Sequence, residues 1–260
     1  MSLPASPPPT RLTAGSSTDP PYGPLADSGF CNPAFYHNFF DDFDNTLGTT
    51  TNGFYTVTAA TGSMVHTPGD GGLALLSTTA AAASFVSAQL PAASFVLPQG
   101  AGAGKKLFYL TRLQMSDVTA CAIIAGLINT TVTPFAAVAD GVWFSKAIGS
   151  TILNINTAVG SAVVTTPLPA ASYALANAVN IDLGFYIDRS GNLNVFTSPN
   201  MVGYVPQSGT GATTPTRGRV QQIVAPALTA ANLNVTLAIN ETATANKTLQ
   251  VDFHLVQKER

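Results

Sequence analysis

TLQVDFHLV, residues 248–256, alternates apolar and polar side chains from Leu249 to Leu255. In an extended chain successive side chains point to opposite faces, so Leu249, Val251, Phe253 and Leu255 share one side and Gln250, Asp252 and His254 the other. This is the pattern of a half-buried strand, and it places the apolar set, Phe253 included, on a core and His254 outward. NLNVTLAIN (232–240) repeats it with Leu233, Val235, Leu237 and Ile239 inward, and IDLGFYI (181–187) does so with Ile181, Leu183, Phe185 and Ile187.

Working outward, FYTVTAA, GLALLST, KLFYLTRLQM, CAIIAGLI, GVWFSKA and TILNINT read as further strands, each bounded by Gly, Pro, Asn or Asp. Asp188-Arg189-Ser190-Gly191 separates IDLGFYI from NLNVFTS and supplies the glycine that a hairpin turn needs. No segment shows a comparable helical period. Roughly a dozen or more short strands with turn signals between them predict an all-β fold, two antiparallel sheets packed face to face as a jelly roll or a concanavalin-like, lectin-like sandwich.

Composition agrees: 46% of the residues are hydrophobic and only 9% charged, with Lys and Glu, which favour helix surfaces, scarce. The formal charge of -2 leaves no electrostatic footprint for nucleic acid or an anionic membrane, and no apolar run approaches the length of a membrane span. The N-terminus carries no basic segment followed by an apolar stretch, so no signal peptide is expected. Between Asp44 and Lys105 the only Asp, Glu, Lys or Arg is Asp70. Such a surface either makes permanent contacts or is solvated through its Thr, Ser and Asn.

Residues 1–34 are set apart by proline, including Pro7, Pro8 and Pro9, which neither donates to a ladder nor sits inside a helix. This predicts an extended arm ahead of a sandwich domain at 35–260. Leu12, Tyr22, Leu25 and Phe30, with Arg11, are anchors that a solvated linker would not need, so the arm is expected to lie on a neighbouring subunit, with a reach of about 100 Å. Residues 198–219, rich in Gly, Pro and Thr, read as a long surface loop.

The chemistry-bearing residues are few. The two glutamates, Glu241 and Glu259, do not form the alternating acidic strand of sandwich glycosidases, which need two carboxylates about 5–9 Å apart. His37, His66 and His254 stand in no nucleophile-elbow context, and Cys31 and Cys121 show no metal-ligand spacing. GAGAGKK at 100–106 lacks the spacing of a phosphate-binding loop and opens a strand. The densest acidic stretch is HNFFDDFDN (37–45), where an extended chain places Asp41 beside Phe39 and Phe43 and sends Asp42 and Asp44 to the opposite face. Asp41 is either satisfied structurally by backbone N–H groups or water at a strand start, or the acids hold Ca²⁺ with loop carbonyls. EF-hand-like spacing is missing, which favours the structural role. No catalytic, cofactor or metal residue is assigned.

FFDDFDN, GDGGLALLST, GKKLFYLTRLQMSD, IIAGLINTTVTPFAAVADGVWFSKAIGSTILNI, IDLGFYIDRSGNLNVF and TLQVDFHLVQKER, in that order, resemble a family of tailed-bacteriophage virion proteins. The resemblance covers residues 37–260; the arm and the 198–219 stretch depart from it. It implies a lectin-type sandwich and a non-enzymatic role in decorating or cementing the head, on the capsid exterior. The implied partners are the major capsid protein and further copies of the chain, as a homotrimer. The alternative is a carbohydrate-binding module for host attachment, with Tyr204 and the single Trp143 as candidate sugar-stacking aromatics.

Overall fold

The computed structural model describes residues 36–43, 54–67, 72–81, 84–98, 105–198, 219–242 and 245–259. The arm with its Pro7, Pro8, Pro9, Arg11, Leu12, Tyr22, Leu25 and Phe30, the 199–218 stretch with Tyr204, and Asp44 and Cys31 lie outside the described residues.

The strands are, in chain order, β1 (Tyr36–Asp41), β2 (Thr56–Ala59), β3 (Gly62–Thr67), β4 (Leu73–Thr78), β5 (Phe85–Gln89), β6 (Phe95–Val96), β7 (Leu107–Met115) and β8 (Cys121–Ile128). There follow β9 (Gly141–Lys146), β10 (Leu153–Val159), β11 (Ala162–Pro167), β12 (Asn180–Ile187), β13 (Leu193–Thr197), β14 (Arg219–Ile223), β15 (Asn232–Glu241) and β16 (Thr248–Glu259). They form two antiparallel eight-stranded sheets. The first runs β14-β13-β12-β7-β16-β4-β3 with β1 added beside β16, and the second runs β11-β10-β9-β8-β15-β5-β2 with β6 added beside β15. The fold is the predicted all-β sandwich.

The inner faces meet as alternation requires. Leu183, Phe185 and Ile187 of β12 pack toward Val142 and Phe144 of β9, and Phe185 stacks on Tyr109 at 4.9 Å and touches Phe144 at 6.1 Å. Leu233, Val235, Leu237 and Ile239 of β15 are fully buried in the same core. Burying aliphatic and aromatic side chains of this size stabilises by roughly 1.5–3 kcal/mol each.

The last strand holds the main surprise. On one side β16 pairs with β7 along its length; on the other, Thr248–Val251 pairs with β4 and His254–Glu259 with β1. Where the partner changes, the register against β7 shifts: Val251 lies opposite Leu113 and Phe253 opposite Arg112, so Asp252 is one residue too many. A one-residue bulge inverts every side chain beyond it. Leu249 and Val251 are core, as the sequence pattern predicts, but Phe253 and Leu255 turn to the outer face with Phe108, Leu110 and Phe196, while His254 and Val256 turn inward. The expectation of Phe253 and Leu255 inward and His254 outward is corrected by that bulge.

Candidate functional site

Two places concentrate polar side chains that the fold has had to accommodate. The first is the inner pocket created by the bulge. His254, fully buried, comes to Tyr55, whose hydroxyl lies 2.5 Å from Nε2 and donates to Asp41 Oδ2 at 2.9 Å. Because the Tyr55 proton goes to the carboxylate, Nε2–H of a neutral imidazole donates to the Tyr55 oxygen. The second Asp41 oxygen, Oδ1, accepts the Phe43 N–H at 2.9 Å. Phe43 closes the pocket, with its ring 5.5–5.9 Å from those of His254, His66 and Tyr55. Phe43 takes a left-handed φ of 57°, a conformation rare for bulky side chains, and the Asp41 turn bond holds it there.

Burial governs the protonation of this group. It pushes the His254 imidazole from 6.5 down to about 3, and it raises the Tyr55 phenol, with help from the Asp41 charge, far above its ordinary range. A neutral His, a protonated Tyr and a carboxylate with both oxygens hydrogen-bonded form a buried structural network, in which His254 Nδ1 meets no partner among the described residues. Asp41 sits at the C-terminal end of β1 instead of a strand start, and Asp42 is half-buried beside it.

Of the other chemistry-bearing residues, Cys121, Lys146, Glu241, Asp117 and Lys247 gather at one end of the sandwich, where Lys247 Nζ pairs with Asp117 Oδ2 at 2.9 Å. Glu241 is buried at the β8 end where it faces Cys121, whereas Glu259 closes the opposite end of the sandwich with Arg189 and the Lys106 N–H. They form no acid pair. His37 stacks on Phe95 at 4.8 Å. Burial pushes the Cys121 thiol up to about 11. Among the described residues no three His, Cys, Asp or Glu side chains are grouped to hold a metal ion. Sequence reasoning missed Lys146: its ammonium is drawn inside by the backbone carbonyls of Cys121 and Ala147, and burial lowers its affinity for the proton.

The second place is a groove of about 400 Å³ on the outer face of β8, β9 and β10. Alternation along β9 sends Val142 and Phe144 inward and Trp143 and Ser145 outward. Trp143 is thus buried (5% exposed) outside the inter-sheet core, in a separate cluster with Ile124, Ile128, Val138, Ala158, Ala238 and Phe135. Gly126 of β8 lies opposite Trp143, and a Cβ there would come within 2.5 Å of the Trp143 Cα and the Val142 carbonyl. Only glycine lets this strand pair carry the indole.

The 129–140 loop roofs the cluster and is tied down at several points. Asn129 Oδ1 accepts the N–H groups of Ala139 and Asp140, Gln89 Oε1 accepts that of Thr131, and Asn234 Nδ2 donates to Thr130 Oγ1 at 2.6 Å. Asp140 Oδ1 in turn accepts the N–H of Gly160 in the β10–β11 turn. The wall is framed by Asn156, whose Nδ2 donates to the Trp143 carbonyl and Ser145 Oγ and whose Oδ1 accepts from Thr165. Asn154 and Asn240 also line the groove; Oδ1 of Asn240 is enclosed yet meets no donor among the described residues. Of the two sugar-stacking candidates of the sequence, Trp143 lines the groove as floor with Phe135, and Tyr204 lies outside the described residues.

No protein-family model matches this sequence, and the search of curated proteins returns no match. Solved structures share the fold. The carbohydrate recognition domain of Emp47p superposes with a TM-score of 0.54 at 10% identity, covering 87% of this chain and 98% of that one. The CBM2 module of the evolved Dit of Lactobacillus casei BL23 phage J-1 gives 0.51 at 10% identity, over 86% and 96%. A protein of unknown function from Shewanella oneidensis MR-1 gives 0.50 at 10% identity, over 86% of each chain. At such identity the likeness establishes a lectin-like sandwich.

Proposed function

We propose that this chain is a non-enzymatic carbohydrate-binding module of a bacteriophage virion, with the outer groove of β8, β9 and β10 as its saccharide site. The observation that carries the reading is the groove itself: a preformed cleft with an aromatic and aliphatic floor and two half-exposed carboxamides, Asn154 and Asn240, that bond to none of the described residues. Sugar-binding sites need this combination, apolar surface for C–H faces and convergent polar groups for hydroxyls. Two structures that share the fold are named as a carbohydrate recognition domain and as a CBM2 module of a phage Dit, which supports both the saccharide and the phage context. The resemblance of residues 37–260 to phage virion proteins supports the latter independently.

The test is a glycan array probed with the full chain, followed by calorimetry on any hit. Binding that a groove substitution removes supports the reading; an array without signal overturns it.

A second reading, decoration of the capsid against the major capsid protein and other copies of the chain as a trimer, is favoured by one feature. β11 is an exposed edge strand with Val163 and Val164 open to solvent, and no acidic or basic residue occurs between Lys146 and Asp182. Free edges are ordinarily guarded by charge, so this one fits burial in an assembly. Counting copies in purified virions tests it: a number near that of the capsid subunits supports decoration, and a few copies at the tail sinks it.

A further inference from the structure

We infer that the groove takes an uncharged glycan longer than a single sugar ring and holds it without a metal ion; this rests on the saccharide reading above and narrows it. Three features of the groove lead there.

The first is its charge. Among the described residues no carboxylate and no guanidinium lines the groove, and the one lysine there, Lys146, has its ammonium turned to the carbonyls of Cys121 and Ala147. A sialylated, uronic or sulphated ligand would bring an anion into a half-enclosed cleft that offers it no counter-charge, and burying an unpaired ion is strongly unfavourable. The described lining equally lacks the carboxylates from which a Ca²⁺ site is built.

The second is the kind of polar group present. Asn154 and Asn240 are carboxamides, each able to donate and to accept, as a sugar hydroxyl does. Asn156 is different, since its partners within the protein use both ends of its amide. It frames the wall and leaves recognition to the other two. Neither Asn154 nor Asn240 has a side-chain partner among the described residues; Oδ1 of Asn240 is closed to solvent, so its Nδ2 is the end that a hydroxyl can reach.

The third is spacing. Asn240 is on β15 and Asn154 on β10, with β8 and β9 between them and a two-residue offset along the strands, so three interstrand steps of about 4.8 Å set them roughly 16 Å apart. A single pyranose cannot bridge both amides. A di- or trisaccharide can, with its C–H faces over Ile124 and Phe135.

The experiment uses the full chain and a panel of neutral mono-, di- and trisaccharides beside sialylated and sulphated glycans, each with Ca²⁺ and with EDTA. Neutral di- or trisaccharides are expected to bind equally in both buffers, and monosaccharides at least about tenfold more weakly, as when one of two hydrogen-bonding ends is lost. Asn154→Ala and Asn240→Ala should each weaken binding up to about tenfold, with unchanged melting temperature. Binding confined to anionic glycans, or abolished by EDTA, overturns this inference and leaves the saccharide reading standing. Binding of neutral glycans untouched by both substitutions overturns the placement in the groove. Failure of every glycan to bind overturns the saccharide reading and this inference with it.

Discussion

The pocket of Asp41, Tyr55 and His254 and the groove of Asn154 and Asn240 both place polar side chains beside aromatic rings, yet they are opposite in kind. In the pocket, Tyr55 donates to Asp41 and accepts from His254, and the second Asp41 oxygen is taken by the Phe43 N–H. In the groove, Asn156 is similarly saturated, but Asn240 keeps an enclosed oxygen without a donor among the described residues. An acid, a phenol and an imidazole together look like catalytic equipment; complete burial, which closes even the unpartnered His254 Nδ1 to any ligand, makes them structure. Amides that are half-exposed at a surface opening and bond to none of the described residues, as Asn154 and the Nδ2 of Asn240 do, are the better sign of a ligand.

The largest effect expected from this contrast is on acid stability. Burial holds the His254 pKa near 3 in the folded chain against 6.5 for a free imidazole. Below pH 6.5 the unfolded chain takes up a proton that the folded one refuses, so the stability is complete above that pH and is lost as pH falls toward 3. The slope is about 1.4 kcal/mol per pH unit, or roughly 3 kcal/mol between pH 6.5 and pH 4. Denaturant unfolding across that range, for the native chain and His254→Phe, isolates the contribution. Parallel curves for the two would show that the imidazole is not buried as described.

Next comes the hydroxyl between the acid and the imidazole. Tyr55→Phe keeps the ring contacts with Phe43 and His254 but removes the donor to Asp41 and the acceptor for Nε2. Leaving buried groups unpaired costs about 1–3 kcal/mol each. Thermal unfolding should register the loss with no effect on glycan binding; a change in binding with stability intact would make the pocket part of the ligand site.

How the imidazole came to be there marks the limit of what the sequence shows. Period-2 alternation is enough to read the sandwich, the core faces of β12 and β15, and the first half of β16, because each runs in unbroken register against its long partner. The second half of β16 was misread because alternation carries no record of a bulge, and Asp252 becomes the extra residue only where β1 replaces β4 as partner. That exchange is a long-range event between segments far apart in the chain. Asp41 among aromatics was legible from HNFFDDFDN; its partner His254 was not, for the same reason. In the groove, Trp143 stood out as the single tryptophan, but Asn154 and Asn240 were two asparagines among many, brought to one face by the order β10-β9-β8-β15.

Phe253 measures that correction. It lies half-buried on the outer face against Phe40, 6.4 Å away, with the Arg112 guanidinium 5.5 Å above its ring. Phe253→Ala should cost about 1 kcal/mol, mostly the lost cation–π and edge contacts, against roughly 3–5 kcal/mol for Phe185→Ala in the core. Equal losses in chemical denaturation would restore the unbroken alternation and remove the bulge.

The smallest effect on stability belongs to the groove, and it is the one that separates the two regions most cleanly. Asn154 and Asn240 satisfy no other described side chain, and neither lies in the inter-sheet core. Surface substitutions away from caps, cavities and buried networks usually stay within about 0.5 kcal/mol. Asn154→Ala and Asn240→Ala should therefore unfold at the native midpoint, and removing the unpaired Asn240 oxygen can even stabilise slightly, because an enclosed acceptor without a donor is unfavourable. Trp143 reports on the same groove from its floor, so its emission should be unchanged in both variants and shift only when a glycan covers Phe135. Midpoints lowered by as much as in Tyr55→Phe would mean that these amides brace the 129–140 loop, as Asn129 and Asn156 do, and that their spare valence is structural after all.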